Sequence, residues 1–148
     1  MKTLLKTIVL GLLIVSGGAI ASDDGEAKAS LYERLGAMDG INSIVSDTIA
    51  LHLKNEEISQ YFDGVDLDNL AHHVAAFFAA GTGGPADYQG RDMTSAHAGM
   101  NMSEADFDSA VADVLTAVKS NGVDDESAAE VAAILESLRP AIMGAAAD

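Results

Sequence analysis

From Leu31 onward apolar residues recur every third or fourth position, as in Ile41, Ile44, Val45 and Ile49 or in Leu70, Val74, Phe77 and Phe78. That period lines them along one face of an α-helix. No segment alternates as a half-buried strand would, so the expected fold is all-α. The pattern predicts a short helix over Leu31 to Leu35, ended by Gly36, and a longer one from about Gly40 to Lys54. A third begins at Asp66, a possible N-cap, and runs to Ala80, where Gly81-Thr82-Gly83-Gly84-Pro85 stops it. Ser103 with Asp106 three residues on has the reciprocal capping pattern, and opens a helix that carries Phe107, Val111, Val114, Leu115 and Val118 and stops at Gly122. A last helix follows Asp124-Asp125, carries Val131, Ile134, Leu135 and Leu138, and is bent or ended by Pro140. There are no internal repeats.

Two stretches break the helical pattern. Residues 81–102 hold five glycines and a proline between two long helices, with room for at most one short helical turn. A loop of that length in a compact domain usually has a function or a ligand that orders it. At the other end, Lys2 and Lys6 precede an apolar run from Ile8 to Ile20, closed by Ala19-Ile20-Ala21 before Ser22. This reads as a secretory signal peptide over residues 1–21, cut after Ala21. The run is shorter than the roughly 18–20 apolar residues that span a bilayer, so no stable membrane anchor is expected. Residues 22–29 read as a disordered linker and residues 30–144 as the folded domain. The expected location is periplasmic or secreted.

Composition narrows the chemistry. The 148 residues suit one domain, and the absence of cysteine excludes disulfides, thiolate-held metals, cysteine nucleophiles and a lipidated N-terminal cysteine. Aromatic residues make up only 5% and tryptophan is absent, so small aliphatic side chains must build the core. The net charge is −15, and removal of Lys2 and Lys6 with the leader takes it to −17. Such a chain repels phosphate backbones and its few basic residues do not cluster, so nucleic acid is not an expected partner.

The four histidines are His52, His72, His73 and His97. His73 shares the face of Leu70, Val74 and Phe77, whereas His72 is rotated about 100° from it and should face solvent. His52, near a helix end, is expected to be exposed. A histidine on an apolar face is more often a hydrogen-bonded core residue than a ligand, and His97 in its loop could equally be a surface residue. No tightly spaced metal motif is present. Iron held by porphyrin nitrogens needs only one or two protein ligands on opposite sides of a flat apolar slot, which suits one histidine on a helix and another on a loop. Without CxxCH such a haem would be noncovalent. Met93, Met100 and Met102 are possible axial ligands, with flexible filling as their ordinary role.

In order and spacing, Leu31-Tyr32-Glu33-Arg34-Leu35-Gly36, Tyr61-Phe62, Phe77-Phe78, the run Gly83-Gly84-Pro85-Ala86-Asp87-Tyr88-Gln89-Gly90-Arg91-Asp92-Met93 and His97-Ala98-Gly99 resemble group 1 truncated haemoglobins. The resemblance covers roughly residues 30–142. It implies a two-over-two helical sandwich around haem b (iron protoporphyrin IX), with His97 as proximal iron ligand and Phe62 packed on the porphyrin. Leu70, Val74 and Phe77 would line the distal side, Tyr88 and Arg91 would meet the propionates, and Met93 and Phe107 would complete the contacts. Many members stabilise bound oxygen with a tyrosine and a glutamine, where this chain has Ile49 and Val74, with Thr48 beside the former. His73 stands where some relatives supply an exchangeable sixth ligand.

The expected function is therefore an exported monomeric haem protein that binds O2, NO or CO and takes part in redox chemistry with an unidentified partner. A nitric oxide dioxygenase or an O2 carrier with an open distal site is an alternative, so catalysis is undecided at this level and no catalytic residue is assigned. A haem-free helical interaction protein is a third reading, opposed by the joint presence of His97, Phe62, Tyr88 and Arg91.

Overall fold

The computed structural model describes residues 28–144. The signal peptide and all but the last two residues of the linker lie outside that range. Ser30 opens α1 (Leu31–Arg34) with a capping box: its hydroxyl accepts from the Glu33 amide while the Glu33 carboxylate accepts from the Ser30 amide. Arg34 fastens α1 to the last helix, donating to Ser127 Oγ at 2.6 Å and to Glu130 at 2.7 Å.

The next helix, α2 (Ala37–His52), starts three residues before the predicted Gly40. A Cβ on Gly40 would stand 2.0 Å from the Leu35 carbonyl oxygen. Gly40 is therefore a close-approach residue inside the first turn, where the end of α1 presses on α2, and not a boundary. A 3-10 turn at Ser59–Phe62, which hydrophobic spacing did not indicate, links α2 to α3 (Leu67–Gly81). Asp66 caps α3 as expected, accepting from the Asn69 amide at 3.1 Å. The chain reverses after α3 through Gly83, whose φ of +90° glycine adopts without steric cost. Gly84 serves differently: the Tyr32 ring lies 2.5 Å from where its Cβ would be.

The glycine-rich segment contains the single short helix expected there, α4 (Met93–His97), capped by Asp92. The Ser103–Asp106 box starts α5 (Glu104–Ser120). The Ser103 amide and then the Tyr61 hydroxyl hold the Asp106 carboxyl below the usual carboxylate range. In α6 (Asp125–Gly144) Pro140 lies inside the helix and does not end it. Proline costs the bond to the Glu136 carbonyl, but it sits close to the helix end, where few bonds remain to be lost. Thr94 donates to the Ala141 carbonyl at 3.2 Å and Arg139 binds Glu104, Asp108 and Glu136, so both sides of the proline are anchored.

Among the described residues there is no strand. Helix α2 packs on α3 and on α5, and α5 packs on α6, giving two helical pairs in layers. Ile41, Ile44, Val45, Ala75, Ala79, Ala117, Val118 and Val131 form the shared core, each no more than 5% exposed. Alanines on α3 and α5 at these contacts let the helices approach closely. The C-terminal half of α6 meets α4, so the helix that ends in His97 rests on the second pair.

Candidate functional site

His97 is half-buried at the end of α4, with Nδ1 2.8 Å from the Met93 carbonyl oxygen. A carbonyl only accepts, so Nδ1 carries the proton and, in the neutral ring, Nε2 keeps its lone pair. That is the tautomer and support a metal-binding imidazole requires. Met93, itself half-buried, contributes its main chain to this arrangement.

On α3 the fully buried positions are the alanines at 75 and 79, while Leu70, His73, Val74, Phe77 and Phe78 are only half-buried. The larger apolar side chains therefore face a region that protein does not fill. An apolar cavity of about 140 Å³ lies between Phe77 and Phe78 on α3 and Val131, Ile134, Leu135 and Leu138 on α6. This cavity touches neither His73 nor His97 and is much smaller than a porphyrin, so it marks incomplete packing between α3 and α6 beside the stripe. His72 is exposed, as its rotation from His73 requires. The Tyr88 ring meets the edges of His73 and Phe77, with centroids 6.4 and 5.2 Å away.

Tyr88 departs from the expectation in one respect. Its phenol donates its single proton to the Arg91 carbonyl at 2.7 Å, so it contributes its ring to the site and has no proton left for a carboxylate. The Arg91 guanidinium is exposed and makes one long contact, 3.4 Å to the Ser95 carbonyl, which leaves its fork able to meet an anionic group at the rim. Phe107 is 3% exposed, and the Arg139 guanidinium lies 4.2 Å from its ring centroid. One face of Phe107 is thus taken by a cation and only the remainder can touch a ligand.

His52 corrects the sequence expectation. Its side chain is 12% exposed, Nδ1 lies 3.0 Å from Asp113, and the ring stacks on Phe62 at 5.4 Å. Asn55 completes the cluster, donating to Asp113 at 2.9 Å and to Ser109 at 2.8 Å. The α2–α5 contact buries the end of the helix, and the carboxylate that satisfies the imidazole stands far along the sequence. Phe62, the residue assigned to the porphyrin face, is therefore backed by a hydrogen-bonded histidine. Thr48, one turn earlier on α2, is 7% exposed, and its hydroxyl has no hydrogen-bond partner among the described residues.

Among the described residues no group of three or more histidines and carboxylates could cage a bare metal ion. An ion here would have to bring most of its own ligands, as iron in a porphyrin does. The sequence profile of bacterial-like globins matches residues 30–144. A group 1 truncated haemoglobin of Tetrahymena pyriformis is 30% identical over 115 residues, 78% of this chain and 95% of that protein. One from Synechocystis is 31% identical over 110 residues, 72% of this chain and 89% of that protein. The chain belongs to the bacterial-like globin family, as a group 1 truncated haemoglobin. The crystal structure of the ferric Tetrahymena pyriformis protein superposes with a TM-score of 0.75 at 29% identity, covering 78% of this chain and 98% of that one.

As a truncated haemoglobin the protein carries haem and binds gases such as O2 at it. The residues fit that group: an imidazole with an available Nε2, an incompletely covered apolar helix face, and a guanidinium at the rim. Leu70 and Val74, beside His73 on α3, are aliphatic, and Ile49 is half-buried on an open groove of about 300 Å³ between α2 and α3 that also carries Asn42, Ser46, Asp68 and His72.

Proposed function

We propose that this truncated haemoglobin is an exported, monomeric haem b protein in which His97 is the proximal and His73 an exchangeable distal ligand. Its role is one-electron or nitric oxide chemistry ahead of bulk oxygen storage. The observation that carries this reading is the half-buried stripe Leu70, His73, Val74 and Phe77, in which His73 is the one nitrogen donor, together with a His97 imidazole whose Nε2 is left free by the bond from Nδ1 to the Met93 carbonyl. Haem supplies a one-electron iron couple and a coordination position for a gas. The chain's own residues do the rest. His97 would hold the iron through Nε2, oriented by the Met93 carbonyl; His73 would be its exchangeable second ligand; Leu70, Val74 and Phe77 would exclude water; Arg91 would pair with carboxylate at the rim.

Two imidazole ligands keep similar geometry in both oxidation states, which favours electron exchange and places a step before gas binding. Electron self-exchange, followed by NMR line broadening in mixed ferric and ferrous samples, should be fast, and gas binding should level off as gas concentration rises. Slow exchange together with rapid oxygen binding and slow release would contradict this and favour nitric oxide dioxygenation. Export rests on the charged start and short apolar run of residues 1–21. The protein recovered from the periplasm of an expressing bacterium should begin at Ser22 by mass. An uncut chain in the cytoplasm would contradict the leader assignment.

A further inference from the structure

Residues 53–65 lead the chain from α2 toward α3 and carry Phe62, and their main-chain hydrogen bonds close among residues 49–65. Side chains tie this stretch to α5. Asn55 donates to Ser109 Oγ at 2.8 Å and to Asp113 at 2.9 Å, and the Tyr61 hydroxyl donates to Asp106 at 2.8 Å. His52 Nδ1 lies 3.0 Å from the same Asp113 oxygen that Asn55 binds. Asp106, Ser109 and Asp113 are three and four positions apart, so one face of α5 supplies all of these polar partners.

His52 is the member of this set that touches Phe62. A carboxylate only accepts, so Nδ1 carries the proton, and the bond to Asp113 fixes the orientation of the imidazole. The two rings stack with their planes 25° apart. Phe62 is half-buried, so it keeps surface beyond this contact for a ligand. Its side chain has no polar atom through which a hydrogen bond could hold it, and a fastened neighbouring ring supplies that restraint. We infer that His52, clamped by Asp113, is a positioning residue for the haem: it fixes the Phe62 ring as the platform on which the porphyrin seats. The inference rests on the haem-binding reading above, in which Phe62 packs on the porphyrin, and it gives the polar face of α5 a function at the site without contact with the iron.

The test uses the haem-loaded protein and removes the ring while keeping its hydrogen bond. His52→Asn places an amide N–H where Nδ1 stands, so Asp113 keeps its partner. Haem should pass to an acceptor apoprotein about 3–10-fold faster than from the parent, as expected for loss of one aromatic contact, and the hyperfine-shifted haem methyl resonances of the ferric cyanide complex should move. The haem-free variant should keep the parent's helical circular dichroism. His52→Gln also removes the ring and should give the same result, so a folding defect in one variant leaves the other to decide. Phe62→Leu should itself speed haem transfer, and adding His52→Asn to it should change neither the rate nor the methyl shifts further, because His52 acts through that ring. The full effect of His52→Asn in the Phe62→Leu background, or parent-like transfer and methyl shifts in His52→Asn, would overturn the assignment. Parent-like transfer in Phe62→Leu would remove Phe62 from the porphyrin and overturn the reading beneath the inference as well.

Discussion

The His97→Ala protein should fail to retain haem. The Nε2 lone pair, kept available by the hydrogen bond from Nδ1 to the Met93 carbonyl, is the proposed bond between chain and iron. Losing an outer-shell partner of a metal ligand already costs about 10–100-fold in metal affinity, so losing the ligand itself should speed haem transfer to an acceptor apoprotein by more than about 100-fold. The helices do not depend on this side chain, since α4 is capped by Asp92 and tied to α6 through Thr94. Far-ultraviolet circular dichroism should therefore change little. Imidazole added to His97→Gly should restore much of the haem absorbance. Haem transfer at the parent's rate in His97→Ala would remove His97 from the site.

The second large effect concerns gas binding. If His73 occupies the distal position, a gas binds only the fraction of molecules in which it has left, and the apparent affinity falls by that fraction. Should closed molecules outnumber open ones by about 100 to 1, His73→Ala will bind carbon monoxide about 100-fold more tightly. Stopped-flow rates should plateau with gas concentration in the parent and stay linear in the variant. Linear rates of similar size in both would leave His73 without a role on the iron.

Much of this was legible because its causes are local. The caps at Asp66 and Ser103 need only residues three positions away, and the structure places both helix starts there. The stripe containing His73 follows from helical period alone, and the glycine-rich stretch signals a loop through backbone freedom. What escaped depends on distant partners. His52 looked like an exposed helix end because nothing in its neighbourhood announces Asp113, 61 positions along. Gly40 read as a boundary because its use, close approach to the Leu35 carbonyl, exists only once α1 and α2 are packed. Pro140 read as a bend or a stop because proline usually is one or the other, and the anchors that carry the helix past it come from α4 and α5. The resemblance puts Tyr88 at the propionates, but a main-chain carbonyl three residues later takes its proton.

The most direct test of the account is the absorption spectrum of the ferrous, haem-loaded protein without added gas, recorded beside His73→Ala. Sharp low-spin bands in the parent that become broad and high-spin in the variant are the predicted result. Broad five-coordinate spectra from both proteins would contradict it, leaving an open distal site and a protein built to bind gas without first releasing a histidine.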